Sequence, residues 1–197
     1  METLTSPLPL VLASTSPFRR ALLSRIALPF ETAAPDVDEC RLPGEAPPAL
    51  VRRLSEAKAR ACARNRPALI IGSDQVATLG EEVLGKPGTH AQAAEQLHRL
   101  SGRAVSFLTG LCLLNTATNE AQVDVIPFRV RFRALDDEQI ERYLHHDLPY
   151  NCAGSFKSEG LGITLFERME GEDPTALIGL PLIRLTTMLA HQGIRLP

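Results

Sequence analysis

The stretch Leu10-Val11-Leu12-Ala13-Ser14-Thr15-Ser16-Pro17-Phe18-Arg19-Arg20 decides the fold. The apolar run from Leu8 to Ala13 reads as a buried strand. It breaks at three small hydroxyl residues, and Pro17 suits the first position of a helix with Ser16 as N-cap. Ala21, Leu22, Leu23 and Ile26 continue that helix at helical spacing. A strand that runs through hydroxyl side chains into a helix N-terminus is a natural anion site, because free backbone N–H groups and the helix dipole both favour negative charge. Arg19 and Arg20 can add charge-assisted bonds to phosphate oxygens. The competing reading is an ordinary capped helix with two solvated arginines.

Strand-like and helical runs alternate beyond it. Phe30 to Ala33 reads as a short strand, followed by the acidic loop Pro35-Asp36-Val37-Asp38-Glu39, in which an extended backbone aims Asp36 and Asp38 to one side. Pro47 to Arg64 reads as a helix with Leu50, Leu54, Ala57 and Ala61 inward and Lys58 near its middle. Ala68 to Asp74 reads as a buried strand that ends in Gly72-Ser73-Asp74. Ligands of open α/β sheets bind at such strand ends, which makes Asp74 a catalytic candidate. Val76–79 and 82–84 form a hairpin that delivers Gly85-Lys86-Pro87, a lysine in a stiff backbone. Thr89 caps a helix to Leu100, closed by Ser101-Gly102.

Ala104 to Asn115 is a long strand interrupted at Thr109-Gly110. Gln122 to Arg133 alternates as its antiparallel partner, with a bulge or bend at Pro127. Asp136 to His146 is a helix, and His145 and His146 read as helix-end residues rather than metal ligands. The loop Cys152 to Gly162 carries Lys157 and Glu159 among three glycines, but lacks the P-loop order. Ile163 to Phe166 is a strand, and Leu180-Pro181-Leu182 opens the last helix.

Bulk properties narrow the function. The chain of 197 residues can bury a real core and reads as one domain, 1–197, with two lobes. A formal net charge of −2 argues against a general nucleic-acid binder. No run is long enough for a membrane span, and Met1 to Pro9 has no signal-peptide pattern, so a cytoplasmic protein is expected. Cys40, Cys62, Cys112 and Cys152 are scattered without metal-ligand spacing and read as reduced thiols.

Taken in order, Ala13-Ser14-Thr15-Ser16-Pro17 with Arg19, Asp36-Val37-Asp38-Glu39, Glu56-Ala57-Lys58-Ala59, Gly72-Ser73-Asp74, Gly85-Lys86-Pro87, Ser101-Gly102, Thr109-Gly110, Ala153-Gly154 and Gly179-Leu180-Pro181 resemble the Maf family of nucleoside triphosphate pyrophosphatases. The resemblance covers almost the whole chain. It implies a two-lobed α/β, Maf/ITPase-like fold with a mixed, partly antiparallel sheet and a central cleft. It also implies hydrolysis between the α- and β-phosphates, with a divalent cation, Mg²⁺ or Mn²⁺. On this resemblance Asp74 is the general base, Asp38 and Asp74 hold the metal, and Ser14, Ser16, Arg19, Lys58 and Lys86 hold the triphosphate. Asp173 matches a family aspartate of open role.

Three departures from the commoner family pattern, Phe18, Gln75 and Glu159, are similar to the YceF-like branch, which the resemblance associates with 7-methyl-GTP. The chemistry agrees: a carboxylate accepts the two adjacent donors of a guanine edge, and an aromatic face stacks on the cationic methylated ring. The partner of Gln75 is not derivable at this level. Rival expectations are the same reaction on dTTP, UTP or another modified base, and a nucleotide-binding cell-division regulator with vestigial catalysis. The expected partner is a nucleotide, with no stable nucleic-acid complex and no membrane; a homodimer is compatible with the sequence.

Overall fold

The computed structural model describes residues 6–64 and 66–197, so the expectation about the first nine residues falls partly outside it. The strands are β1 (Leu10–Ala13), β2 (Phe30–Ala33), β3 (Leu69–Leu79), β4 (Glu82–Leu84), β5 (Ala104–Asn115), β6 (Glu120–Phe132) and β7 (Phe166–Glu170). The α-helices are α1 (Pro17–Leu23), α2 (Pro47–Ala61), α3 (His90–Leu100), α4 (Asp137–Asp147), α5 (Pro174–Ile178) and α6 (Leu182–His191). They build one mixed sheet in the order β2-β1-β3-β5-β6-β7, with β4 paired to the far end of β3. β1 lies parallel to β2 and β3, and the other pairs are antiparallel.

Both faces of the sheet centre are covered, so the central strands read as unbroken apolar runs. Leu10, Leu12, Leu69, Ile71, Leu111 and Leu113 pack against α1 and α6 on one face. Their neighbours Val11, Ala13, Ile70, Cys112 and Leu114 pack against Ala59 and Cys62 at the end of α2 on the other. The period of two splits one hydrophobic run between two cores. The distal halves of β3, β5 and β6 enter a further core with α3 and α4, where Phe132, Phe156 and Phe166 meet edge to face. These separate cores make the two lobes.

β3 opens the space between them. Its first part pairs with β1 only as far as Ala13↔Gly72, and its last part pairs with β4 only from Ala77↔Leu84. Residues 73–76 therefore have no strand on that edge, while β5 continues unbroken along the other. β1 runs out into Ser14–Ser16 and β4 into Gly85-Lys86, so both segments border the gap.

Several sequence expectations change. Asp74 lies in the middle of an eleven-residue strand rather than at a strand's carboxyl end, because β5 pairs along β3 from Leu69 to Thr78. β5 is not interrupted at Thr109-Gly110, and no bulge marks Pro127, which pairs in register with Leu108. β7 begins to pair with β6 only at Arg129, so the missing N–H of Pro127 faces no strand. The register irregularity lies instead at Arg131/Phe132. Residues Leu161–Leu165 form a 3-10 turn, and the strand expected there starts at Phe166. α1 closes at Leu23, with a 3-10 turn after it, and α2 stops at Ala61.

α2 lies unusually close to the sheet at two glycines. A Cβ on Gly72 would stand 2.0 Å from the Ser55 carbonyl oxygen, and one on Gly110 would stand 2.1 Å from that of Val51. Backbone cannot retreat as a flexible side chain would. Gly110→Ala is expected to cost about 1–3 kcal/mol of stability by overpacking. Urea unfolding would check this, and a variant as stable as the parent would show that α2 can lift without loss.

Candidate active site

The floor of the gap is an ion pair. Lys58, from the last turn of α2, is 6% exposed and Asp74 is 8% exposed. Lys58 Nζ donates to Asp74 Oδ1 at 2.6 Å and stands 2.6 Å from Glu39 Oε1. A lone lysine on a helix is usually solvated; this one is buried because Gly72 and Gly110 let α2 sink onto the sheet beside Asp74. The hydrogen bond from Lys58 holds the Glu39 carboxyl below the ordinary carboxylate value, against the opposing effect of burial.

Glu39 is the loop carboxylate that meets Lys58. Asp38 is exposed, and its Oδ1 accepts from the backbone N–H of Cys40 at 2.9 Å, which lowers its pKa. Asp36 and Asp38 are both exposed. Glu39 points the opposite way, to Lys58.

The loop that carries Glu39 is fastened to the helix that carries Lys58. Arg53 of α2 grips Glu45 through Nε–Oε1 at 2.6 Å and Nη2–Oε2 at 2.8 Å, and also donates to the Cys40 carbonyl. Arg41 Nε donates to the Glu45 carbonyl at 2.6 Å. This fork lowers the Glu45 pKa from 4.5 to about 2.

Cations and hydroxyls line the opposite wall. Ser16 caps α1 by accepting from Arg19 N, as expected. Ser14 Oγ accepts from Ser16 N at 3.1 Å, and its hydroxyl hydrogen remains to be given. Arg19 Nε is anchored on the Gly179 carbonyl at 2.8 Å. Burial lowers the Arg19 pKa, while the charges of Asp74 and Glu39 draw it up. With only seven residues in α1, anion attraction here rests on side chains more than on a helix dipole. Lys86 is exposed, and its side chain closes the far rim. One cleft of about 830 Å³ is lined by Ser14, Ser16, Arg19, Glu39, Lys58, Asp74 and Lys86, with further residues that include Lys157.

A smaller recess of about 190 Å³ shares Ser16, Phe18, Arg19, Gln75 and Lys86 with that cleft and ends at Phe107, Phe156 and Glu159. The three residues singled out for base recognition thus line one cavity, although they come from α1, β3 and the glycine loop. Phe18 is half-buried and Glu159 exposed. Gln75 Nε2 donates to Thr109 Oγ1 at 2.9 Å and to the carbonyls of Ala176 and Leu177 at 2.7 and 3.1 Å. Its nitrogen is spent on α5, which leaves its carbonyl oxygen for a ligand. Asn151 and Cys152 line both spaces and were not picked out by sequence, since neither carries a motif.

Asp173 has a structural place. It is 2% exposed, caps α5 through Thr175 N at 2.9 Å, and accepts from Ile183 N at the start of α6 at 2.8 Å. It ties two helix starts together away from the ion pair.

Among known proteins, the family profile described as Maf-like protein matches residues 9–192. The chain belongs to the Maf family. Its relatives include proteins named 7-methyl-GTP pyrophosphatase. That of Pseudomonas fluorescens strain Pf-5 is 59% identical over 191 residues, covering 96% of this chain and 100% of its own. That of Nitrosococcus oceani is 57% identical, covering 96% and 97%. That of Pseudomonas aeruginosa strain PAO1 is 55% identical, covering 95% and 98%. The solved structure of the Staphylococcus aureus Ham1 protein overlays 64% of this chain and 72% of its own at a TM-score of 0.39 and 14% identity. The fold assignment rests on the sheet itself.

The Glu45 carboxyl titrates lower in the folded chain than free. Its contribution to stability is therefore complete above the ordinary carboxylate range and is lost as pH falls from about 4.5 toward 2. Denaturant melts over that window should show the parent losing more stability than Glu45→Gln. Parallel loss in both would mean that the fork does not hold the loop.

Proposed function

We propose that the chain is a nucleoside triphosphate pyrophosphatase that hydrolyses 7-methyl-GTP between the α- and β-phosphates to 7-methyl-GMP and pyrophosphate. The observation that carries this is the buried Lys58 ammonium set between Asp74 and Glu39, across one cleft from Ser14, Ser16, Arg19 and Lys86. The reading is supported by near full-length relatives that bear the name of that activity.

Phosphoryl chemistry of this kind asks for placed charge more than for covalent help. Arg19, Lys86 and the two serine hydroxyls bind the triphosphate. Asp74 takes a proton from the attacking water as its oxygen bonds to phosphorus. The bridging oxygen leaves with pyrophosphate. Lys58 offsets the negative charge of the two carboxylates and orients both. Asp74 and Glu39 come from separate segments, meet at one point, and each offers an oxygen beyond the one on Lys58. That donor set fits an oxygen-seeking Mg²⁺ or Mn²⁺, which would neutralise charge on the triphosphate and the leaving group.

The recess then takes the base. Glu159 accepts N1–H and the exocyclic amine of guanine and repels the acceptor edge of a pyrimidine. Phe18 stacks on the methylated, cationic ring for about 0.5–2 kcal/mol. Gln75, anchored through its nitrogen, turns an acceptor oxygen to the base.

Pyrophosphate release across 7-methyl-GTP, GTP, ATP, CTP, UTP and dTTP is expected to favour 7-methyl-GTP. Glu159→Gln should lower its selectivity over UTP by about 10- to 100-fold, the size of one or two charge-assisted hydrogen bonds. Asp74→Asn should cut kcat by about 10²- to 10⁴-fold while nucleotide still binds. A pyrimidine preference in the parent would overturn the base assignment and keep the reaction. Full turnover in Asp74→Asn would remove Asp74 as the base.

A further inference from the structure

Outside the cleft, one cluster of chemistry-bearing side chains is assembled from distant parts of the chain. His90 is the first residue of α3, and Glu141 and His145 stand one turn apart on α4. His90 Nε2 lies 2.9 Å from Glu141 Oε2, and His145 Nε2 lies 3.6 Å from the same oxygen. One donor atom from each residue falls within 4.8 Å of the others. The two imidazole rings are 5.2 Å apart, centre to centre. On its other side His90 Nδ1 is 3.0 Å from the Tyr150 hydroxyl.

We propose that His90, Glu141 and His145 form a binding site for a divalent transition ion of the zinc class, separate from the oxygen-lined site of the cleft. Tetrahedral zinc with bonds near 2.0–2.2 Å sets its donors about 3.3 Å apart, and the two observed separations bracket that value. Two imidazoles and one carboxylate suit zinc, cobalt or nickel, whereas Mg²⁺ prefers oxygen alone. Three protein donors leave a fourth position for water, and the surface around Glu141 and His145 is a shallow depression open to it. An ion on Nε2 selects the tautomer in which Nδ1–H donates to Tyr150, the kind of outer support that metal-bound histidines ordinarily have.

The site reaches the cleft through the backbone. His90 follows Lys86 by four residues, and Gly88 N donates to the Tyr150 carbonyl at 2.9 Å. Tyr150 precedes Asn151, Cys152 and Ala153 on the cleft wall. A bound ion would therefore fasten the segment carrying Lys86 to α4 and to that wall.

The test uses untagged, metal-stripped protein in excess Mg²⁺, titrated with Co²⁺ and followed by visible absorption, with Zn²⁺ as competitor. The expected result is one Co²⁺ per chain with an intense tetrahedral spectrum that Zn²⁺ removes. Affinity should fall at least about tenfold in His145→Ala and in Glu141→Gln and stay unchanged in Asp74→Asn. His145 is largely exposed, so its replacement leaves the fold intact and carries the test even where His90→Ala does not fold. The same loading should raise the Tm of the parent by several degrees and leave that of His145→Ala unmoved. Absence of binding in excess Mg²⁺, or binding undiminished in His145→Ala, overturns the proposal.

Discussion

The structure depends on one close contact, the descent of α2 onto the sheet at Gly72 and Gly110. There a Cβ on either strand glycine would stand 2.0 or 2.1 Å from a helix carbonyl oxygen, and beside that contact Lys58 reaches Asp74. Burying the pair has a desolvation cost that Coulomb attraction barely offsets, so it is weak evidence of stability. Removing Lys58 alone would be far worse, at about 3–5 kcal/mol, because the Asp74 carboxylate would stay buried without its ion-pair partner. A charge pair retained at such a cost, open to a cleft lined by further cations, is better explained by chemistry than by folding.

The same sheet face that holds the two lobes also holds α5 between them. Ser73, Gln75 and Thr109 project from β3 and β5 at the junction of the two cores. Ser73 and Arg19 both donate to the Gly179 carbonyl, and Gln75 and Thr109 both donate to that of Ala176. Polar side chains at the centre of an otherwise apolar sheet would be costly if unpaired. Here they satisfy the carbonyls at the end of a five-residue helix too short to stand alone. Arg19 is thereby aimed at the cleft, and Gln75 is held with one polar group committed and one free.

Much of this was legible in the chain. Continuous apolar runs located β1 and β3, alternation located β6, and capping residues at Ser16 and Thr89 placed two helix starts. These signals are local, and hydrogen bonding within a few residues enforces them. The strand ends were less legible. The extent of β3 is set by which strands lie beside it, and that depends on residues far along the chain, as in the pairing of Leu69 with Asn115.

The candidate site divides in the same way. The sequence by itself determined the residue types: a hydroxyl-rich turn with Arg19, an acidic loop, Lys58, Asp74, Lys86, and the trio Phe18, Gln75 and Glu159. Tertiary structure alone decided which carboxylate of the loop faces Lys58, because a single peptide step reverses the side to which an extended residue points. It alone gave Asp173 to two helix caps and brought His90 beside Glu141 and His145. A side chain's type is written in the chain, but its neighbours are chosen by packing, where contacts form between segments that carry no mark of one another.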